Sequence, residues 1–426
     1  MKFSDLGNLP NQETGHKVWF HIGVFLVAFL ILFSRRPDAL LHAQFYAEDG
    51  KYWYADAYQS GWRCLLLPLG GYLNTTSRLI GLFTQLFPLS VAPLVFNLFG
   101  LIAQILPASV FLSSRFSGIP FYLRVLGSLV YLGLPNSFEL HANTTNLHWH
   151  LALLGCLVVL GRQDDRTAWR VFDFVALAAV ALAGPFGILL LPVAAFLRWK
   201  SKDSRFNLAL AALIPPAALQ IIMILAFSGA QRDAPLGVNL ERLNGIVGGQ
   251  LFLSSILGVR TFIQLYFFSH LNALPVIESV AAILGALVML YAVWRGPLEL
   301  KLFVLFAVAV MALGLARPLA SEPQRLQWEA LQVPGCGNRY YFFPMVAFLT
   351  TLVWIARGLT REARILRYFA FAVLALLPVG VFRDWRYRAF TNYHFPDFVT
   401  EFERAAPGTR FVIDINPGMN MQLTKR

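Results

Sequence analysis

Two adjacent carboxylates, Glu48 and Asp49, are the residues of this chain best suited to chemistry. One of them could act as a general base while the other orients it or holds a divalent cation, and their mutual repulsion would raise the pKa of one. Three neighbours could bind a sugar ring through aromatic faces and a further carboxylate: Tyr52, Trp53 and Asp56. A structural interpretation stays open, in which Asp49 caps a helix that begins at Gly50 and Glu48 interacts with the dipole of that helix.

A second polar segment covers residues 139–150, and nine of its twelve side chains can form hydrogen bonds. Polar groups at the mouth of a membrane bundle are costly, which makes them candidates for substrate binding. The candidates are Glu139, Asn143, Asn146 and His148. His148 could be a metal ligand or an acid, and the Asn and Thr side chains suggest a hydrogen-bonding rim. The alternative is a polar loop whose groups satisfy one another.

Arg339 and Tyr340 begin a late apolar stretch on the predicted outer side. An arginine at that depth can hold a phosphate through paired donors while aromatic rings pack against a lipid chain. Arg78 and Arg260 are secondary candidates for phosphate binding on the same side. Arg and Tyr also serve as plain interfacial anchors, so the structural alternative stays open here as well.

Membrane helices must position these residues. Of the 426 residues, 57% are hydrophobic and 14% are charged, whereas a soluble domain carries about 25% charged residues. Apolar stretches that suit a hydrocarbon core of about 30 Å recur from Val18 to Phe382. The sequence therefore predicts an all-α, polytopic transmembrane helical bundle with about eleven crossings, in a range of about ten to thirteen. The predicted crossings are 18–34, 91–112, 120–135, 147–161, 171–183, 186–198, 206–228, 274–294, 299–316, 340–356 and 365–382.

The net charge of +12 is concentrated in short gaps between the apolar stretches, at residues 162–170, 198–205 and 357–367. Basic loops of this kind face the anionic cytoplasmic side of a membrane, which argues against nucleic acid as a partner. The N-terminus is therefore expected inside and the C-terminus outside. Because Arg35 and Arg36 follow the first stretch in place of a cleavage site, that stretch is interpreted as an uncleaved anchor.

Residues 171–198 carry basic residues at both ends, so one crossing cannot account for them. They are predicted to form a hairpin of two short helices that bends at residues 184–187, where Gly and Pro break the helix. The first outer loop, residues 35–90, is predicted to contain two short helices, 50–61 and 77–87. The second of these has a broad apolar face that suits the membrane surface.

Two late segments complete the predicted architecture. Residues 251–268 look like another surface helix and could instead be a further crossing. The tail, residues 383–426, contains one strand-like run at 410–415 and is too short to be a separate domain. Residues 1–382 are therefore predicted to form a single transmembrane domain.

The three cysteines have no metal-ligand spacing, and the chain lacks a Gly-rich phosphate loop, a zinc-protease helix and a nucleophile elbow. Cys156 falls within a predicted helix. Cys64 and Cys336 fall on the same predicted side and could form a disulfide, with two free thiols as the alternative.

With these residues placed, the chain resembles the GT-C class of polytopic membrane glycosyltransferases, in an uncharacterised bacterial branch. That class carries acidic residues in its first outer loop, where Glu48 and Asp49 stand, and that loop folds into short helices on the membrane. Half-length helix pairs in the class are similar to residues 171–198. The resemblance covers the architecture of residues 18–382, although this chain departs from many members by lacking a large C-terminal outer domain.

The resemblance implies a donor in the form of a polyprenyl-phosphate sugar and a glycan or lipid acceptor, with inverting hexosyl or pentosyl transfer at the outer face of a bacterial inner membrane. One carboxylate would then deprotonate the acceptor hydroxyl while Arg339 stabilises the departing phosphate. The only candidate cofactor is the divalent cation that the paired carboxylates could hold. The alternatives are a transporter or flippase for lipid-linked saccharide without catalytic activity, and a glycan polymerase or ligase.

Overall fold

The computed structural model describes residues 16–227, 234–268, 273–320, 325–358 and 364–426. Arg361, which belongs to the third basic loop, lies outside the described residues. The chain is mostly helical, with one small two-stranded sheet, which confirms the all-α class. A helix stands at each of the eleven predicted crossings. These helices are α1 His16–Arg35, α2 Ala92–Leu112, α3 Phe121–Leu132, α4 Leu147–Leu160, α5 Thr167–Leu182, α6 Phe186–Ser201, α7 Phe206–Phe227, α8 Leu274–Arg295, α9 Leu298–Ala316, α10 Asn338–Ala356 and α11 Arg364–Arg383.

Seven of these helices, in the part of the chain that is described, are long and apolar enough to cross a membrane: α1, α2 and α7–α11. The shorter helices α3–α6 rise roughly 18–24 Å. Helix α10 is largely enclosed by the rest of the protein, whereas most residues of α1 and α11 are partly or fully exposed. Exposed apolar surface on this scale requires a lipid environment. The chain is an integral membrane protein.

The predicted hairpin at residues 171–198 is confirmed. Helix α5 ends at Leu182 and α6 begins at Phe186, and both pack against α7. Gly184 between them has a φ of +143°, a conformation that side chains rarely adopt, and Pro185 follows it at the start of α6.

The basic loops around this hairpin meet on one face. Arg205 forms an ion pair of 3.5 Å with Asp165 and donates a hydrogen bond to the carbonyl of Gln163. Arg115 lies beneath the same loops, where its buried guanidinium is 2.5 Å from Asp173.

Residues 35–90, the predicted first outer loop and here called the first outer segment, are built from short helical turns, as the sequence predicted. The turns and short helices outside the eleven long ones are Asp38–Leu41, Asp49–Tyr54, Ala55–Ser60, Gly61–Leu66, Thr75–Thr84, Leu89–Val91, Ser114–Phe116, Phe138–Leu140, Leu240–Asn244, Gly245–Leu253, Ser254–Leu257, Val259–Phe268, Gln327–Gln332 and Phe395–Arg404. In Thr75–Thr84 the side chain of Ile80 is buried, while Leu79 and Phe83 are exposed, as expected of a helix at the membrane surface. Residues 251–268 do not form one continuous helix, because the chain breaks at Gly258, whose φ is +82°.

The tail folds more fully than the sequence predicted. Strand β1, Arg410–Ile415, is confirmed, and it pairs in antiparallel fashion with a second strand, β2 Met419–Thr424. The hairpin contacts the first outer segment: the carbonyl of Asn416 accepts a hydrogen bond of 2.5 Å from the amide of Ala47, and the amide of Asn416 donates one of 3.2 Å to the carbonyl of Phe45. The tail and the acidic motif, which consists of Glu48 and Asp49, therefore lie on the same side of the membrane helices.

The three cysteines are free, so the alternative of a disulfide between Cys64 and Cys336 is not formed. Cys64 is buried in the short helical turns of the first outer segment. The thiol of Cys336 lies 3.7 Å from the carbonyl of Ala320, to which it donates.

Candidate active site at one end of the bundle

Asp49 anchors the acidic motif to the loop that precedes α4. Its carboxylate is fully buried and accepts a hydrogen bond of 3.1 Å from the amide of Thr144, and its second oxygen lies 2.9 Å from the hydroxyl of Thr145. The predicted N-cap is wrong, because Asp49 is the first residue of its helical turn and its carboxylate contacts residues distant in sequence. Burial raises the pKa of Asp49 to about 8, although the hydrogen bonds from Thr145 and Thr144 oppose that rise.

Glu48 presents the free carboxylate of the pair. Its side chain is partly exposed, and it forms no hydrogen bond or ion pair with any residue that the structure describes. Its charge acts on Asp49, on the hydroxyl of Tyr46 and on Arg339. The structure thus brings Glu48 and Arg339 to one site, although they are far apart in the sequence.

Arg339 is paired within the protein. Its guanidinium forms an ion pair with Glu139 and donates a hydrogen bond to the carbonyl of Leu319. Its backbone amide donates a hydrogen bond of 3.3 Å to the carboxylate of Glu139. The guanidinium also lies 4.7 Å from the ring centroid of Tyr340. As a phosphate ligand, Arg339 would have to exchange Glu139 for the phosphate.

The predicted polar rim is used mainly to fold its own loop. Asn143 and Asn146 are buried, and both side-chain amides donate to the carbonyl of Glu139, at 2.8 Å and 2.9 Å. The loop packs closely on α2 at Gly100, where a Cβ atom would lie 2.5 Å from the amide nitrogen of Asn143. His148 packs against Trp149 and Phe186, and its Nδ1 atom is buried without a hydrogen-bond partner among the described residues.

The other predicted ligands of the first outer segment contact one another. Arg78 is buried, forms an ion pair of 2.7 Å with Asp56 and stacks on Trp53 at 5.0 Å. Of the residues predicted to bind a sugar, Tyr52 stays partly exposed near Glu48. Arg260 is also engaged, because its guanidinium donates to the carbonyl of Arg386.

Sequence reasoning missed two buried residues beside this site, Arg36 and His141. The available signal was the position of Arg36, because a basic residue on the predicted outer side runs against the charge asymmetry of the other loops. Within the described residues, no group of three or more His, Cys, Asp or Glu side chains could hold a metal ion. A divalent cation at Glu48 and Asp49 stays a prediction.

Comparison with known proteins gives structural neighbours only. No family model and no curated protein sequence matches the chain. The crystal structure of the apo oligosaccharyltransferase from Archaeoglobus fulgidus aligns with 93% of this chain and 59% of its own, at 12% identity and a TM-score of 0.46. Apo ArnT from Cupriavidus metallidurans aligns with 93% of this chain and 92% of its own, at 15% identity and a TM-score of 0.37. Both neighbours are GT-C glycosyltransferases, and the chain spans about three fifths of the oligosaccharyltransferase.

Proposed function

We propose that this protein is a membrane glycosyltransferase that moves a sugar from a polyprenyl-phosphate donor to a hydroxyl of a glycan or lipid acceptor. The observation that carries the proposal is the free, partly exposed carboxylate of Glu48 at the outer end of the helical bundle. In the proposed reaction, the acceptor oxygen attacks the anomeric carbon while Glu48 takes its proton. The bond from that carbon to the phosphate oxygen breaks, the phosphate leaves with the electron pair, and the configuration inverts.

Asp49 has a different role in this proposal. Its oxygens already contact Thr144 and Thr145, and its side chain is fully buried, so it cannot reach an acceptor hydroxyl without breaking those contacts. Asp49 holds the motif in place, and Glu48 projects from it. Arg339 neutralises Glu139, which leaves Glu48 as the carboxylate of the site that has no partner among the described residues.

The same site is proposed to face the outside of a bacterial inner membrane, with the N-terminus inside. The supporting observation is that the basic loops meet on one face while the tail contacts the acidic motif. No cofactor is required for the proton transfer that Glu48 carries out, and a divalent cation beside the paired carboxylates would add charge stabilisation.

The test is transfer of labelled sugar from polyprenyl-phosphate donors by purified protein in lipid vesicles. Glu48→Gln should lower the rate roughly 100- to 10,000-fold, as removal of a positioned base does, and should leave the melting temperature unchanged. Glu401→Gln, which removes an exposed carboxylate from the tail, is the matched control and should retain full activity. Full activity in Glu48→Gln would refute the catalytic role and would favour a transporter of lipid-linked saccharide.

A further inference from the structure

A buried arginine at the end of α1 has two nitrogens without a hydrogen-bond partner among the described residues. Arg36 is 5% exposed, and its Nε and Nη1 atoms have no hydrogen-bond partner among the residues that the structure describes. Two aromatic rings hold its guanidinium instead, with the carbon Cζ 4.6 Å from the centroid of Phe390 and 5.4 Å from that of Tyr387. Ring faces attract the cation, but they do not satisfy the N–H groups at the edge of the guanidinium plane.

The neighbouring buried arginines have acceptors at their terminal nitrogens, although Nε of Arg35 and Nε of Arg78 have no partner among the described residues. Arg35 donates to the carbonyls of Leu132 and Leu134 at 2.7 Å and 3.0 Å, and Arg78 and Arg339 each pair with a carboxylate. The carboxylate nearest to Arg36 in sequence, that of Asp38, accepts a hydrogen bond of 2.8 Å from the amide of Phe390. The charge of Asp38 acts on Arg36, but no hydrogen bond joins the two residues, so Nε and Nη1 of Arg36, which have no partner among the described residues, can donate to an anion.

His141 lies beside the same ring and is also without partners. It is fully buried, neither ring nitrogen has a hydrogen-bond partner among the described residues, and its ring lies 5.1 Å from that of Tyr387. Burial lowers the pKa of His141 well below its ordinary value, and the charges of Arg36 and Arg35 lower it further. A neutral imidazole keeps one N–H donor, which could meet an oxygen of an anion that Arg36 holds.

The site adjoins the acidic motif. The ring of Tyr46 lies 5.7 Å from Phe390, the ring that Arg36 stacks on, and the charges of Arg36 and Glu48 both act on the Tyr46 hydroxyl. Arg36 directly follows the last residue of α1, at the end of the membrane helix where the phosphate of a lipid would lie.

We propose that Arg36 and His141 bind the phosphate group of a lipid-linked substrate, an assignment that rests on the proposed function. A phosphate accepts from the planar guanidinium through two oxygens and can accept from an imidazole through a third. Arg36 can do this without giving up an internal ion pair, which distinguishes it from Arg339. Phosphate held at Arg36 would place the adjoining sugar toward Tyr46 and Glu48.

The experiment measures binding of farnesyl phosphate to purified protein in lipid nanodiscs, with farnesol and inorganic phosphate as separate probes. Wild type should bind farnesyl phosphate more tightly than either probe, and Arg36→Gln should weaken that binding roughly tenfold to a hundredfold, the loss expected for a charge-assisted hydrogen bond. Arg36→Lys should fall between the two, because it keeps the charge and loses the fork of donors. Arg388→Gln removes an exposed arginine that directly follows Tyr387 in the sequence, and this control variant should bind farnesyl phosphate as wild type does.

A thermal readout separates loss of the site from loss of the fold. Farnesyl phosphate should raise the melting temperature of wild type and of Arg388→Gln, and should leave that of Arg36→Gln unchanged. Without ligand, Arg36→Gln should melt no lower than wild type, because the substitution removes an unpaired buried charge. Equal binding by wild type and Arg36→Gln would overturn the assignment, and inorganic phosphate binding as tightly as farnesyl phosphate would overturn the lipid source.

Failure of the proposed catalytic role of Glu48 can be distinguished from failure of the phosphate site at Arg36. Glu48→Gln should bind farnesyl phosphate as wild type does while losing transfer. If wild type transferred no sugar but bound farnesyl phosphate in a manner that depends on Arg36, the glycosyltransferase proposal would fail and the phosphate site would stand.

Discussion

Asp49 should behave as a neutral, structural carboxylic acid, and the hydrogen bonds around it explain why. The hydroxyl of Thr145 lies 2.9 Å from Oδ1 of Asp49 and 3.1 Å from the carbonyl of Tyr46, and both of those atoms are acceptors when Asp49 is ionised. A hydroxyl has one proton and cannot fully serve both. If Asp49 carries a proton, it donates to Thr145, Thr145 donates to Tyr46, and the amide of Thr144 still donates to Oδ2.

Asp49→Asn should therefore be tolerated, because an amide reproduces each of these hydrogen bonds with the same shape. Asp49→Ala should lower stability by about 1–3 kcal/mol, because it leaves the buried amide of Thr144 without an acceptor. Thr145→Val, which removes the donor to Tyr46, should have a similar effect. Thermal midpoints of the purified variants in nanodiscs would measure these differences.

The pH dependence gives a second measurement on the same variants. The folded pKa of Asp49 is raised to about 8 from an ordinary value of 3.8, so the folded state binds more protons than the unfolded state between these values. The contribution of Asp49 to stability is fully present below about pH 4 and is lost as the pH rises toward 8, at up to about 1.4 kcal/mol per pH unit. Asp49→Asn cannot titrate, so it should become more stable relative to wild type from pH 5 to pH 8.

The result that would refute this reasoning is a catalytic signature at Asp49. If Asp49→Asn lost as much transfer as Glu48→Gln while its melting temperature and pH dependence matched wild type, Asp49 would be the base. The roles of the two carboxylates would then be reversed.

Two further predictions concern topology and packing. In a variant without native cysteines, Ser60→Cys should react with a membrane-impermeant reagent added from outside and Ala168→Cys should not, because their segments are predicted to lie on opposite faces of the membrane. Equal labelling of the two would contradict the predicted topology. Gly100→Ala should lower stability by about 1–3 kcal/mol, since its Cβ would lie 2.5 Å from the amide nitrogen of Asn143, whereas Gly23→Ala in α1 has nothing within 4 Å and should be neutral or stabilising. Equal melting temperatures for the two glycine variants would show that the loop before α4 is not packed as closely as described.

The membrane helices were predictable from the sequence alone because their cause is local. Each apolar stretch must satisfy its own backbone hydrogen bonds in lipid, and a helix does so without help from distant residues. The same locality explains the break at Gly184 and the strand Arg410–Ile415, which ends at a turn of Asn, Pro and Gly. The helix Phe395–Arg404 was not predicted, although its buried residues Phe395, Val399 and Phe402 recur at helical spacing.

The candidate site was only partly predictable, because the role of each side chain depends on partners that the chain path brings to it. The sequence indicated Glu48 and Asp49 as a pair. Asp49 is the member held inside the protein because it contacts Thr144 and Thr145, which lie 95 and 96 residues later in the sequence. Likewise Arg339 is neutralised by Glu139, and Arg36 lies between Tyr387 and Phe390 with two nitrogens that have no partner among the described residues. Residue types and local patterns determine which groups can ionise or donate. Whether a charge is paired, buried or free is decided by long-range contacts, which no local pattern encodes.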